Sequence, residues 1–399
     1  TGSVTVSDGT QSCSASVAAG QCTIAFTSAG ARSMTASYAG SSDYTSSTST
    51  TEAHAVDKAD TTTTITSDNP DPSVSGQTVT VQYDVGATAP GAGTPTGSVT
   101  VSDGTQSCTA TVAAGQCTIA FTSPGARSLT ATYAGDSDFN GSTSAAEAHS
   151  VDKVGTTTSI TSDSPDPSVT GQSVTVDFTV ASLGGGTPTG TVTVGDGTQS
   201  CSASVATGHC TIAFTSTGAK SLTASYAGDS DFKASDSSAE AHTVGKADTT
   251  TTITSDSPDP SVTGQSVTVH YDVAATAPGG GNPTGSVTVS DGTQSCTASV
   301  TAGQCTIAFS STGAKSLTAS YAGSGDYTAS TSTAEAHAVD KADTTTSITS
   351  DGPDPSVTGQ SVTVHYDVAA TAPGGGNPKG TARGWHRTQK KNASVAAGQ

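Results

Sequence analysis

Large apolar side chains are scarce in this sequence: one tryptophan, one methionine, seven phenylalanines and four leucines (Leu129, Leu183, Leu222, Leu317) among 399 residues. Taken alone, that scarcity points toward disorder. Basic residues are scarce too, 14 against 33 acidic ones, and they are scattered. A chain of net charge −19 without clustered cations does not suit a nucleic-acid backbone or an anionic membrane, so neither is expected as a partner. No run approaches the roughly 20 apolar residues of a membrane span, so insertion is not expected, and no stretch resembles a signal peptide. Helical periodicity is missing, as are the G-x-S-x-G elbow, the P-loop and H-E-x-x-H.

What is present is alternation. Valine and alanine are set in strict alternation with threonine, whose high β-propensity lets strands form with few large apolar residues. The alternation repeats on a larger scale. A "KADTTT"-type junction starts at Lys58, Lys153, Lys246 and Lys341, spacings of 95, 93 and 95 residues, which is domain-sized rather than solenoid-sized. The expected organisation is a partial repeat over 1–57, complete repeats over 58–152, 153–245 and 246–340, and a partial repeat over 341–399. Thr1 matches Thr96 and Gln399 stops one residue before a cysteine is due, so the chain is expected to be a piece of a longer array. Residues 258–283 and 353–378 are identical, as recent duplication would leave them.

Within 58–152 the period of two marks about seven strands. "TTTITS" is ended by the prolines of "SDNPDP", and "GQTVTVQYDV" places Val79, Val81, Tyr83 and Val85 on one face. "GATAPGAGTPTG" is a loop by composition. There follow "SVTVS" with Val99 and Val101 inward, the turn "DGT", "SCTATV", "CTIAF", "SLTATYA" with Leu129, Ala131 and Tyr133 inward, and "EAHSVD". Turn signals every 8 to 12 residues and no helix give an all-β chain of tandem sandwiches.

The stretches "PDPSVTGQSVTV", "PTGSVTVSDGTQ" and "SLTATYAGDSDFNGSTS" resemble the bacterial immunoglobulin-like repeat domains of the group 3 type, found in tandem in large surface and secreted proteins. The marks are Gly-Gln before the second strand, Pro-Thr-Gly before the third, the Asp-Gly turn and Tyr133 to Phe139, and the likeness covers nearly the whole chain. The resemblance implies immunoglobulin-like β-sandwiches and an extracellular or cell-surface stalk or adhesive module. The junctions carry no flexible Gly/Ser tract, so an extended, monomeric array of sandwiches, each ~35 to 40 Å long, is expected.

All eight cysteines fall in four C-x8-C pairs: Cys13 and Cys22, Cys108 and Cys117, Cys201 and Cys210, Cys296 and Cys305. By parity both members of a pair face the core. If the two strands form a hairpin with Val112 opposite Cys117, the sulfurs lie ~13 Å out of register. Since a disulfide needs Cα atoms within roughly 7 Å, the hairpin predicts free thiols. In many immunoglobulin-like sandwiches, however, such a connection crosses between sheets, and "AAGQ" would then be a corner with the cysteines facing each other. Disulfides in that case imply an oxidising, exported setting. Zinc is disfavoured, because His209 of "GHC" is replaced by Gln21, Gln116 and Gln304 in the other copies. The spacing and the lack of adjoining bases also disfavour redox catalysis.

Four histidines recur in "EAH": His54, His149, His242 and His337, read as partly buried edge residues in step with Val56, Val151, Val244 and Val339. Serine and threonine are too abundant to single out a nucleophile, and repeated units without a unique constellation would catalyse in every copy or in none, so no enzyme and no cofactor are expected. Carboxylates are the remaining candidates. Asp136 with Asp138 and Asp229 with Asp231 sit in turns as weak calcium candidates, but the other copies carry Ser41 and Ser324 at the first position. A second calcium site is conceivable where units meet, from Asp57, Asp60, Asp68, Asp71 and a turn acid such as Asp8, although the junction loses acids at Gly155 and Gly245. Asx-turn and Asp-Gly turn chemistry explains most of these residues without an ion.

The end of the chain departs from the pattern. "KGTARGWHRTQKKN" (379–392) stands where "TGSVTVSDGTQSCT" is due, and it holds Trp385 and five of the 14 basic residues. Alternation is lost there, so poor order is expected. The function expected from all this is a non-catalytic stalk, spacer or adhesive repeat region with an adhesive target of unknown kind. The alternative is a module that binds a glycan or a host protein through sandwich-end loops such as Ala275 to Pro283, which lack the exposed aromatics of carbohydrate sites.

Overall fold

The computed structural model describes residues 1–386 and 389–395, with side chains through 381. By contact density the chain divides into two compact units. One comprises 1–158, 180–191 and 225–236, the other 159–179, 192–224 and 237–399, so the division runs through the repeat that starts at Lys153.

The first unit opens with β1 (Ser3–Ser7), β2 (Ser12–Ser16), β3 (Gly30–Tyr38), β4 (Ser47–Thr48) and β5 (Glu52–Val56). These form a single sheet in which β1 lies between β2 and β3. The complete repeat that follows contains β6 (Thr61–Asn69), β7 (Ser73–Val74), β8 (Thr78–Ala87), β9 (Ser98–Ser102), β10 (Ser107–Thr111), β11 (Gln116–Ala120), β12 (Gly125–Tyr133), β13 (Ser142–Thr143) and β14 (Glu147–Asp152). Apart from the two-residue β7 and β13, these are the seven strands expected. They make an immunoglobulin-like sandwich of two sheets, β11-β8-β6 against β10-β9-β12-β14-β7.

Alternation sets the register. Val81 lies opposite Cys117 and Val79 opposite Ile119 in one sheet, while Val101 lies between Cys108 and Ala131 in the other. The valines, Phe121, Leu129, Ala131 and Tyr133 are almost entirely buried. Threonines between them point outward. Few as they are, most of the large side chains of this repeat lie at the interface between the sheets, where each buries roughly 1.5–3 kcal/mol worth of apolar surface.

The turns follow from local chemistry. Asp103 Oδ1 accepts the backbone N–H groups of Thr105 and Gln106 at 2.8 and 2.6 Å, and Gly104 takes φ +90°, which an L side chain rarely adopts. Arg127 braces this turn, with its guanidinium 3.8 Å from Asp103 Oδ2 and over the Phe121 ring at 5.9 Å.

After β10, "VAAG" does not turn back as a hairpin. Val112–Ala114 forms a 3-10 turn capped by Thr111, whose hydroxyl accepts Ala114 N–H, and Gly115 closes it at φ 65°. The Tyr83 hydroxyl donates to Thr111 O at 2.9 Å, and Gly115 O accepts Tyr83 N–H, so the corner is pinned to β8. β11 therefore enters the opposite sheet. The hairpin register is excluded, because β10 pairs with β9 and β11 with β8.

In the second unit the repeat over 246–340 has the same plan: Thr249–Ser257, Ser266–Ala275 and Gln304–Ala308 in one sheet, and Ser286–Ser290, Ser295–Ser299, Gly313–Tyr321, Glu335–Asp340 and Ser261–Val262 in the other. The expectation for 379–392 falls partly outside the described residues. Gly380–His386 pairs with Gln389–Val395 as a hairpin, Thr381 opposite Ser394, the register that Ser286 and Ser299 keep 95 residues earlier. The side chains of that stretch, Trp385 included, lie outside the described residues.

Candidate functional site

The corner brings each cysteine pair together, across the two sheets in the complete repeats. Cα atoms are 5.8 to 5.9 Å apart, and disulfides join Cys13 to Cys22, Cys108 to Cys117, Cys201 to Cys210 and Cys296 to Cys305.

The repeated histidine is not a partly buried edge residue. β14 is flanked by β12 and by β7, and His149 on it is 1 % exposed, because the proline loop after β6 folds over it. The end of β6, that loop and the start of β7 deliver one partner each. Asp68 Oδ2 lies 2.6 Å and Asp71 Oδ1 3.5 Å from His149 Nδ1, and Ser73 Oγ lies 2.9 Å from Nε2. The Phe121 ring packs on the imidazole with centroids 5.0 Å apart.

The second unit holds two more copies. His242 meets Asp163 at 2.6 Å, Asp166 at 3.4 Å and Ser168 at 2.8 Å. His337 meets Asp256 at 2.5 Å, Asp259 at 3.3 Å and Ser261 at 2.8 Å. Aspartate, histidine and serine thus stand in the order of a nucleophilic relay, which sequence reading missed. The signal was available, because "SDxPDPS" and "EAH" recur together in every complete copy.

Burial decides what this relay can do. Ser73, Ser168 and Ser261 are 0, 2 and 1 % exposed, so no acyl group can approach the hydroxyl. The same set of Asp68, Asp71 and His149 has ligand atoms close enough for a metal ion. In the cluster as it stands, His149 Nδ1 lies 2.6 Å from Asp68 Oδ2 and 3.5 Å from Asp71 Oδ1, so the imidazole and the two carboxylates hold one another. Asp71 Oδ1 also accepts Ser150 N–H at 2.9 Å. The chemistry of the cluster is that of a latch holding the proline loop to β14.

Several of the carboxylates singled out from the sequence have partners within the fold. Asp68 and Asp71 belong to the latch, Asp8 accepts Thr10 and Gln11 N–H groups and faces Arg32 at 3.8 Å, and Asp60 Oδ1 accepts Asn140 Nδ2–H at 2.9 Å. Of these acids only Asp68 and Asp71 converge, on His149, and neither Asp8, Asp57 nor Asp60 joins a metal-ligating group among the described residues.

Asp136 Oδ2 accepts the Thr96 N–H and hydroxyl at 2.8 and 2.6 Å, and Oδ1 accepts the N–H groups of Asp138 and Phe139 at 2.8 and 2.9 Å. Burial opposes its ionisation, but these bonds outweigh it and hold the carboxyl well below the usual range. Asp229 does the same with Thr189, Asp231 and Phe232. Burial first, then the Asp136 and Asp229 charges, push the Tyr133 and Tyr226 hydroxyls up to about 12. The Asp138 oxygens accept from Ser137 Oγ and, at 2.7 Å, from Ala29 N–H of the preceding segment. Asp231 Oδ2 accepts from Ser230 Oγ. The turn acids hold turns and neighbouring backbone.

Among the comparisons with known proteins, a family model described as bacterial Ig-like domain (group 3) matches residues 65–152, 160–245 and 253–340. Similar solved structures include fibronectin(III)-like modules of CbhA from Clostridium thermocellum, 16 % identical over 46 % of this chain and 92 % of that one, TM-score 0.19. The Escherichia coli adhesin FdeC is 16 % identical over 72 % and 98 %, TM-score 0.21. Three N-terminal domains of the bacteriophage RB49 outer capsid protein Hoc are 16 % identical over 71 % and 100 %, TM-score 0.24. No curated protein matches the chain.

Proposed function

Because the chain belongs to the bacterial Ig-like domain (group 3) family, we propose that it is a non-catalytic spacer or adhesive repeat region of a secreted or cell-surface bacterial protein. The observation that carries this reading is that, among the described residues, the relay-like constellation is shut inside the fold in all three complete copies, with its serine closed to a substrate. A disulfide in every copy supports an oxidising, exported setting. Loops available for a ligand are partly engaged: in the second unit, Gly280 N–H of the Ala275–Pro283 loop donates to Thr170 O at 3.0 Å, which argues against the ligand-binding alternative.

A spacer works through its length. Small-angle scattering on the dilute chain and on a variant lacking residues 153–245 tests this, since that deletion rejoins Asp152 to an equivalent lysine, Lys246. Loss of one sandwich is expected to shorten the maximum dimension by ~35 to 40 Å. An unchanged maximum dimension would remove the spacer reading.

A further inference from the structure

Neighbouring repeats meet through two contacts that recur along the chain. In one, a turn acid accepts a backbone N–H from the repeat before it: Asp138 Oδ1 from Ala29 in the first unit and Asp326 Oδ1 from Thr217 in the second, both at 2.7 Å. In the other, a glycine loop lies on a Thr-Gly pair of the repeat before it. Gly280 N–H donates to Thr170 O and Gly375 N–H to Thr263 O, each at 3.0 Å. The backbones come so close that a Cβ on Gly171 would lie 2.5 Å from Gly280, and one on Gly264 would lie 2.6 Å from Gly375. Only glycine allows that approach.

The junction at Asp152–Lys153 lies within the first unit and has the segments for both contacts, yet among the described residues neither forms there. The sequence supplies a cause for each loss. Where Ala29 and Thr217 donate, this junction has Pro124, which has no N–H to give to Asp231. Its glycine loop is two residues shorter, "ASLGGGTPTG" (181–190) against "AATAPGGGNPTG" (274–285). A Cβ on Gly76 or on Gly185, the counterparts of Gly171 and Gly280, would meet nothing within 4 Å. Among the described residues the side-chain link across this junction is Lys233 Nζ to Asp152 Oδ2 at 3.2 Å, with both side chains half-exposed. Such a pair contributes little and is screened by salt.

We propose that Asp152–Lys153 is the compliant joint of the array, while the junction at Gly245–Lys246 is held by both contacts. Attachment at two separate loops fixes the orientation of one repeat on the next. A covalent connection with one exposed ion pair does not, and motion is the default for domains that share no sizeable interface. This goes beyond the spacer reading, which requires length but does not say where the array bends.

The test is double electron–electron resonance on the full chain, with spin labels on introduced keto amino acids so that the cysteines are untouched. Thr109, Ser202 and Thr297 are exposed equivalents, each following the first cysteine of its pair. Labels at 109 and 202 span Asp152–Lys153, and labels at 202 and 297 span Gly245–Lys246. The 109–202 distance distribution is expected to be about twofold broader than the 202–297 distribution. Two variants then act on the held junction. Thr217→Pro, with 274–285 replaced by the sequence of 181–190, moves the joint there using segments that a repeat of this chain already accommodates; Asp326→Ala removes a single acceptor outside the core. Both should broaden the 202–297 distribution, the first to the width of 109–202, with unchanged melting of the repeats as the folding control. Equal widths in the unmodified pairs overturn the proposal. So does a 202–297 distribution that stays narrow in the folded variants, since the two contacts would then not be what holds the junction.

Discussion

Replacing His149 by alanine tests whether the buried relay is a latch. The substitution removes a ring contact worth about 0.5–1.5 kcal/mol and strands Ser73 Oγ and Asp68 Oδ2, with about 1–3 kcal/mol for each buried group left without its partner. Asp68 has a side chain 9 % exposed, so water relieves little of that cost. The expected loss is about 3–5 kcal/mol, the range for breaking a buried pair. At roughly 4–8 °C per kcal/mol for a domain of this size, one of three overlapping calorimetric transitions should separate downward by more than about 10 °C.

The two aspartates should rank unequally. Asp68→Asn retains an acceptor at 2.6 Å and loses only charge assistance, about 1 kcal/mol, whereas Asp68→Ala should cost about 2–3. Asp71, at 3.5 Å and with its side chain 38 % exposed, should cost less than about 1 kcal/mol as Asn. An Asp71→Asn effect equal to that of Asp68→Ala, or a His149→Ala loss under about 1 kcal/mol, would refute the latch.

Other expectations follow from the same geometry. Removing one disulfide as Cys108→Ala with Cys117→Ala opens a loop with a sequence separation of 9, and should cost about 2.6 kcal/mol on the chain-entropy relation, read as a shift of that repeat's transition alone. Phe121→Ala removes a fully buried ring that packs on His149 and beneath Arg127, and should cost about 3–5 kcal/mol by urea titration. The depressed Asp136 carboxyl contributes stability that is present above the unfolded-state value of about 4 and is lost as pH falls below it; Asp136→Ser should flatten the acid limb of a stability–pH profile. Tyr133, raised to about 12, contributes stability that is lost as pH rises from about 10 towards that value, so Tyr133→Phe should weaken the alkaline fall. Gly171→Ala places a Cβ 2.5 Å from the Gly280 backbone at φ +76°, and should raise hydrogen exchange at Gly280 N–H.

Much of the fold was legible because one face of every strand is buried. Val79, Val81, Tyr83 and Val85 announce their face by alternation, and a slip of one residue would expose all four. The corner after β10 was harder. "AAGQ" is compatible with a hairpin or with a 3-10 turn, and what decides is the pinning of Thr111 and Gly115 by Tyr83, which lies 28 and 32 positions before them and which no local pattern reveals. The latch was hidden for a similar reason. Asp68 and His149 are 81 residues apart, and the parity of His149 indicated an inward side chain without showing that the loop after β6 would close over it. Turn acids such as Asp136 were visible as turn residues, but their satisfaction by Thr96, 40 positions away, depends on the sandwich being closed.

The central claim, a sandwich stapled across its two sheets in every complete copy, is tested most directly by counting free thiols on the denatured, unreduced protein after expression in an oxidising compartment, with peptide mapping of the pairs. The account predicts no free thiols and the pairs Cys13–Cys22, Cys108–Cys117, Cys201–Cys210 and Cys296–Cys305. Eight free thiols, or pairs that join different repeats, would contradict it.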